Sequence, residues 1–258
     1  MQAIVIDPRS PQRVGFRSVE PPAPRATEAL VRVKAISLNR GEVVYRVQGE
    51  AGTRLGWDLA GVVEQPAAAG QGPARGARVV GLLRSGAWAE QAAVPVNALA
   101  ELGSSVTYAQ AAALPTAGLT ALAAIGHGGS LLARTVLVTG ASGGLGLIAC
   151  RLASLAGARV IGQVRQPQSA PLAQEAGAGH VVVGENIAAT EPFGPYHLIV
   201  EQLGGQLSIA GQADQPLQPE GGRLPFELVV EVQDAQAGSR CPPHARHVDR
   251  DLVAGRPC

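Results

Sequence analysis

The chain has 258 residues, 46% of them apolar, and a formal charge of +1, enough for one large or two modest domains with their own cores. Its charge is spread without a basic block, which argues against nucleic-acid and membrane partners. The opening "MQAIVIDPRS" lacks an export-signal pattern, and the alanine-rich stretch at 109–125 is interrupted by Pro115 and Gly118, so a cytoplasmic protein is expected. Cys150, Cys241 and Cys258 are odd in number and show no metal-type spacing, which speaks against a disulfide framework. Lys34 is the only lysine, so chemistry that needs an amine side chain has one candidate.

Residues 1 to about 105 read as short β segments punctuated by Pro and Gly: "QAIVI", "ALVRVKAISL", "DLAGVVE", "ARVVGLL" and "AWAEQAAVP". From Thr107 alanine and leucine dominate, and Pro115 predicts two short helices with a bend between them. Alternating elements follow: strand "TVLVTG", helix "GGLGLIACRLASLAG", strand "ARVIGQV", helix "SAPLAQEAG" and strands "HVVV" and "HLIV". This alternation predicts an α/β region with right-handed crossovers and a parallel sheet. After Gly205 the pattern is lost; one strand, "FELVVEV", is expected in a tail rich in Gln, Pro, Arg and Gly.

The stretch "VLVTGASGGLG" at 136–146 places a glycine turn between a strand and a helix. Two fingerprints fit it: Thr139-Gly140-x-x-x-Gly144-x-Gly146, as in short-chain reductases, and Ala141-x-Gly143-x-x-Gly146, as in a Rossmann turn. In either case backbone N–H groups at a helix start would receive a pyrophosphate, with Gly143 allowing close approach and Gly146 tight helix packing. Dinucleotide folds selective for NAD carry a carboxylate at the end of the second strand. Here that strand ends in Gln163, Val164 and Arg165, and Arg165 is suited to a 2'-phosphate, which favours NADP(H).

With a β-rich part first and the nucleotide fold second, the chain resembles the medium-chain dehydrogenase/reductase superfamily, in its zinc-independent quinone oxidoreductase branch. The matching stretches are "SLNRGEVVYR", "GWDLAGVVE", "GARVVGLLRSGAWAEQAAVP", "AAALPTAGLTAL", "VLVTGASGGLGLIACRLASLAGARVIG" and "EAGAGHVVV", in the family's order. The resemblance implies a GroES-like β-rich catalytic domain over 1–105, a partial Rossmann NADP-binding domain over 106–205, and an atypical segment over 206–258. Zinc-dependent relatives hold metal at a Cys-x-x-Asp motif, a Gly-His-Glu motif and a later cysteine. The matching positions here are Asn39-Arg40-Gly41-Glu42, Gly56-Trp57-Asp58 and Ala113, which lack the Cys and His ligands.

Without a Lewis acid an already electrophilic acceptor is the better substrate. The resemblance accordingly implies hydride transfer from NADPH to a quinone or to the β-carbon of an α,β-unsaturated carbonyl. It places Asn39 beside nicotinamide and substrate as a catalytic and cofactor-binding residue, with Tyr45 a second, looser catalytic candidate. Thr120, Gly140, Ala141, Ser142, Gly143, Gly144, Leu145, Gly146, Arg165 and Gly204 are the other implied cofactor-binding positions, no metal is expected, and the resemblance suggests a homodimer.

A short-chain reductase would need a Tyr-x-x-x-Lys pair, but Tyr196 is followed by "HLIV" and Lys34 lies far upstream. Ser142 lacks the spacing of a hydrolase elbow, and His127 reads as a loop residue. Cys241, His244 and His247 have ligand-like intervals but read as part of a proline-rich tail. The alternative to an active reductase is an inactive, truncated relative that at most binds NADP(H), with a frame change near residue 205 as one origin. Family members continue the nucleotide fold where this chain changes texture.

Overall fold

The computed structural model describes residues 1–202, 229–232 and 246–247. The chain divides into two compact units, Met1–Leu119 and Thr120–Cys258.

In the first unit, β1 (Gln2–Ile6) and β2 (Val14–Ser18) form an antiparallel hairpin. Next come β3 (Glu28–Ile36), helix α1 (Arg40–Gln48), β4 (Asp58–Gln65), β5 (Arg78–Leu82), β6 (Gln91–Pro95) and β7 (Leu99–Glu101). The strands β3 to β7 assemble as a five-stranded antiparallel sheet in the order β6-β3-β4-β5-β7. Burial alternates along β5 and β6, the period-2 signature of strands with one face inward. That inward face gathers Ala29, Val31, Leu59, Val63, Val79, Ala92 and Val94 into one core. Each buried valine or leucine there contributes about 1.5–3 kcal/mol. The hairpin strand β2, the short β7 and the helix α1 were not expected from the sequence pattern.

Two helices follow, α2 (Tyr108–Ala112) and α3 (Pro115–His127). Thr107 caps α2 through a reciprocal box with Gln110. Pro115 opens α3 instead of bending one helix; at a first helical position its missing N–H costs nothing. α3 carries the chain from the first unit into the second.

In the second unit, β8 (Thr135–Val138), α4 (Gly144–Leu155), β9 (Arg159–Val164), α5 (Ala170–Glu175), β10 (His180–Val183) and β11 (Leu198–Glu201) alternate as expected. The parallel strands lie in the order β10-β9-β8-β11, the arrangement of a Rossmann-type half, with antiparallel β12 (Val229–Val232) and β13 (Arg246–His247) beyond β11. β12 falls within the expected strand "FELVVEV". Successive residues alternate between faces: Val136, Val138, Val160, Leu198 and Val200 pack with α3, α4 and α5 residues, while Leu137, Ile161 and Ile199 pack with Tyr196 on the other side. Chain order reverses between β8 and β11, and a ligand crevice opens at such a switch point, at the carboxyl ends of the strands. No helix among the described residues is long and apolar enough to cross a membrane.

Candidate functional site

Two local arrangements carry chemistry, one in each unit. In the second unit the turn after β8 occupies the switch point. Gly140 adopts φ +59°, a left-handed conformation that glycine enters without a Cβ clash. Gly143 is the N-cap of α4 and supplies no side-chain cap, and Gly143 and Gly144 are both exposed. The amides of Gly144, Leu145 and Gly146 find no acceptor among the described residues, and the positive end of the α4 dipole begins at exposed Gly144. A Cβ at Gly144 would meet nothing within 4 Å, which leaves the approach open. At Gly146 a Cβ would overlap the Gly140 carbonyl and lie 2.6 Å from Gln202 Nε2 and 2.9 Å from Ala141 Cα. The helix can therefore sit this close to the strand only through glycine.

Two glutamines hold the turn from behind. Gln163, on β9, accepts a bond from the Gly140 amide at 3.3 Å and donates to the Gly184 carbonyl. Gln202, just after β11, donates from Nε2 to the carbonyls of Thr139 at 2.7 Å and Gly140 at 3.2 Å. Neighbouring strands thus fix the loop before any ligand arrives. Arg165 is exposed at the residue following β9, on the same carboxyl edge of the sheet. Such a cradle of unpaired N–H groups could hold an anionic group such as a phosphate.

In the first unit two buried carboxylates share a network around Asn39. Asp58 is fully buried at the start of β4; its Oδ2 accepts from Ser37 Oγ at 2.6 Å and Asn39 Nδ2 at 2.9 Å. Its Oδ1 accepts from the Thr116 amide at 3.1 Å and the Thr116 hydroxyl at 2.6 Å. Asp58 thereby places a carboxylate at the N-terminus of α3, where helix dipole and free amide offset its burial. Glu42, 1% exposed on α1, accepts from the Trp57 amide at 2.6 Å through Oε1 and the Asn39 amide at 2.6 Å through Oε2. Burial pushes Glu42 up to about 7, against the lowering effect of those amides, and the charge of Asp58 adds to the rise.

The family profile "Alcohol dehydrogenase GroES-like domain" matches residues 25–123. Quinone oxidoreductase of Pseudomonas aeruginosa is 34% identical over 191 residues, 69% of this chain and 57% of that protein. Among solved structures, the Pseudomonas syringae quinone oxidoreductase superposes with a TM-score of 0.65 at 32% identity, covering 70% of this chain and 58% of that one. The chain belongs to the medium-chain dehydrogenase/reductase superfamily, in its zinc-independent quinone oxidoreductase branch. The Escherichia coli quinone oxidoreductase, solved in complex with NADPH, matches with a TM-score of 0.66 at 28% identity, over 70% of this chain and 58% of that one. The chain spans little more than half the length of the curated relatives it matches.

Positions that align with the zinc-ligand motifs of zinc-dependent relatives form a closed hydrogen-bonded cluster in this chain. Here Asn39, Glu42 and Asp58 meet each other, and the lone pairs of both carboxylates are engaged by N–H and O–H donors. Among the described residues no group of three His, Cys, Asp or Glu side chains could hold a metal ion.

The turn residues Gly140 to Gly146 come together as one loop, but with different exposures. Ser142 and Leu145 are half-buried and Gly146 is buried. Ala141 is fully buried beneath the loop, its amide donating to the Gln163 carbonyl, so it supports the cradle from inside. Thr120 is half-buried on α3, Asn39 immediately precedes α1, and Tyr45 falls within α1. Gly204, Cys241, His244 and Cys258 lie outside the described residues. Tyr196 donates its hydroxyl to the Thr190 carbonyl, and burial pushes its phenol upward. Cys150 is a core thiol pushed up to about 12 by burial.

The sequence pattern marks Glu42, Asp58 and Gln163 without giving them a role, and it does not single out Ser37, Thr116 or Gln202. The Asn39–Glu42 spacing at a helix start has the form of a capping box and could have exposed a role for Glu42. Nothing local announces a role for Asp58 or the glutamines, whose partners are distant in the chain.

Proposed function

We propose that this chain binds NADP(H) at the turn 140–146 and reduces an electrophilic acceptor, a quinone or an α,β-unsaturated carbonyl, without zinc. The observation that carries the reading is the open N-terminus of α4 at the switch point between β8 and β11, with glycine where the backbone must be approached. Arg165 follows the second strand and would pair with the 2'-phosphate.

The bound cofactor would supply the hydride. The chain would hold its pyrophosphate on the amides of Gly144, Leu145 and Gly146, and Thr120 would border the nicotinamide. Gln163 and Gln202 keep the cradle in shape, so little reorganisation accompanies binding. Similarity to the quinone oxidoreductases, one of them solved with NADPH, supports both the cofactor and the acceptor class.

The test is titration of the purified chain with NADPH, followed by nicotinamide fluorescence, then NADPH consumption with a small quinone. Saturable binding with quinone-dependent consumption is expected. Binding without consumption would leave a NADP(H)-binding protein and remove the reductase assignment; no binding would remove both.

A further inference from the structure

Asn39 immediately precedes α1, the position at which an asparagine ordinarily turns its side-chain oxygen onto the first free helix amides. It does not do so here. The Glu42 amide bonds instead to the Asn39 main-chain carbonyl at 3.0 Å, and the carboxamide points its nitrogen at three oxygens. Nδ2 lies 2.9 Å from Asp58 Oδ2, 3.2 Å from Glu42 Oε2 and 3.2 Å from Ser37 Oγ. Ser37 Oγ spends its own hydrogen on Asp58, so it too stands as an acceptor toward Asn39. Both hydrogens of the amide are thereby claimed from inside. Among the described residues no donor reaches Asn39 Oδ1, and the only buried side-chain atom without a partner is His197 Nδ1, so Oδ1 keeps an open face.

We propose that Glu42 and Asp58 are positioning residues that lock the Asn39 carboxamide with its NH2 inward and its Oδ1 outward. Asn39 then offers a ligand an acceptor suited to a hydrogen-bond donor, such as an amide N–H or a hydroxyl. The opposite flip would set a carbonyl oxygen against the Asp58 carboxylate and forfeit its charge-assisted bond, which holds that flip below about one part in ten. Asn39 has no N–H left to stabilise negative charge developing on a ligand oxygen, so its contribution is orientation of the ligand. The ligand half of this inference rests on the proposed NADP(H) binding; the lock itself does not.

The test has two arms. In the ligand-free chain, the Asn39 side-chain amide should exchange at least about tenfold more slowly than that of exposed Asn97 in nitrogen-15 NMR spectra, and Glu42→Gln should erase most of the difference. Equal exchange rates in the wild-type chain would overturn the lock whether or not the chain binds cofactor. In the second arm, Asn39→Ala and Glu42→Gln should each raise the NADPH dissociation constant about tenfold, and unchanged affinity in both would overturn the ligand half. A drop in kcat with unchanged NADPH affinity would overturn the acceptor assignment and make Asn39 an oxyanion donor. Failure of wild-type NADPH binding would instead refute the proposed function, and with it the ligand half, while the exchange arm still decides the lock.

Discussion

In the first unit three side chains and three backbone amides engage two buried carboxylates, whereas at the start of α4 in the second unit three backbone amides have no acceptor among the described residues. The cluster is polar but closed: its donors are consumed internally, and its one outward atom is an acceptor. The turn is built from apolar and small residues, yet it is the region able to receive an anion, because its N–H groups are left unused. What a local structure can bind follows from which hydrogen-bonding groups remain unsatisfied, more than from how polar its residues are.

The sharpest way to break this contrast is to open the closed cluster. Asp58→Ala would strand Thr116, Ser37 and Asn39 donors in a buried site, and a loss of about 3–4 kcal/mol is expected from urea unfolding. A loss below about 1 kcal/mol would mean that water replaces the carboxylate and that the cluster is not closed. In the second unit, Gly146→Val should cost about 2–3 kcal/mol through overlap with Gly140, Ala141 and Gln202, seen as a lower Tm together with lost NADPH binding.

The cluster should also leave a mark on the pH dependence of stability. Glu42 is raised from 4.5 to about 7, so the folded chain holds this proton more tightly than the unfolded chain does. Its contribution is complete below about pH 4.5 and is lost as the pH rises through about 7. The wild type should therefore lose up to about 3 kcal/mol relative to Glu42→Gln across that window, measured as the difference in urea midpoints. Parallel pH curves for the two proteins would contradict the burial effect.

The open turn calls for gentler changes. Arg165→Ala should weaken NADPH about tenfold and leave NADH and Tm unchanged; equal losses for both dinucleotides would remove Arg165 from the 2'-phosphate. Smallest of all, Gly144→Ala places a methyl group in open space, so Tm should hold within about 1 °C while NADPH binding falls a few-fold. An unchanged affinity would show that the phosphates approach from elsewhere.

Much of the second unit was legible before any coordinates. Strands and helices alternate with clear periodicity from Thr135 to Glu201, and a glycine turn between strand and helix has few other uses. The first unit was read less completely. α1 begins with "RGEVVYR", a mixed pattern without an apolar stripe, and β7 is only three residues long, so neither gives a periodic signal.

The sequence by itself determined the order of the two units, the position of the glycine turn, the missing Cys and His ligands at the zinc-type positions, and the arginine after the second strand. Each of these depends on residue identity or on spacing within a few turns of chain, where local sterics and backbone hydrogen bonding dominate. Only the tertiary structure decided that Asn39, Glu42 and Asp58 share one network and that Gln163 and Gln202 brace the turn. Those contacts join residues 19, 23 and 63 positions apart, and nothing in a local stretch of chain encodes which distant donor will meet which acceptor once the strands are paired.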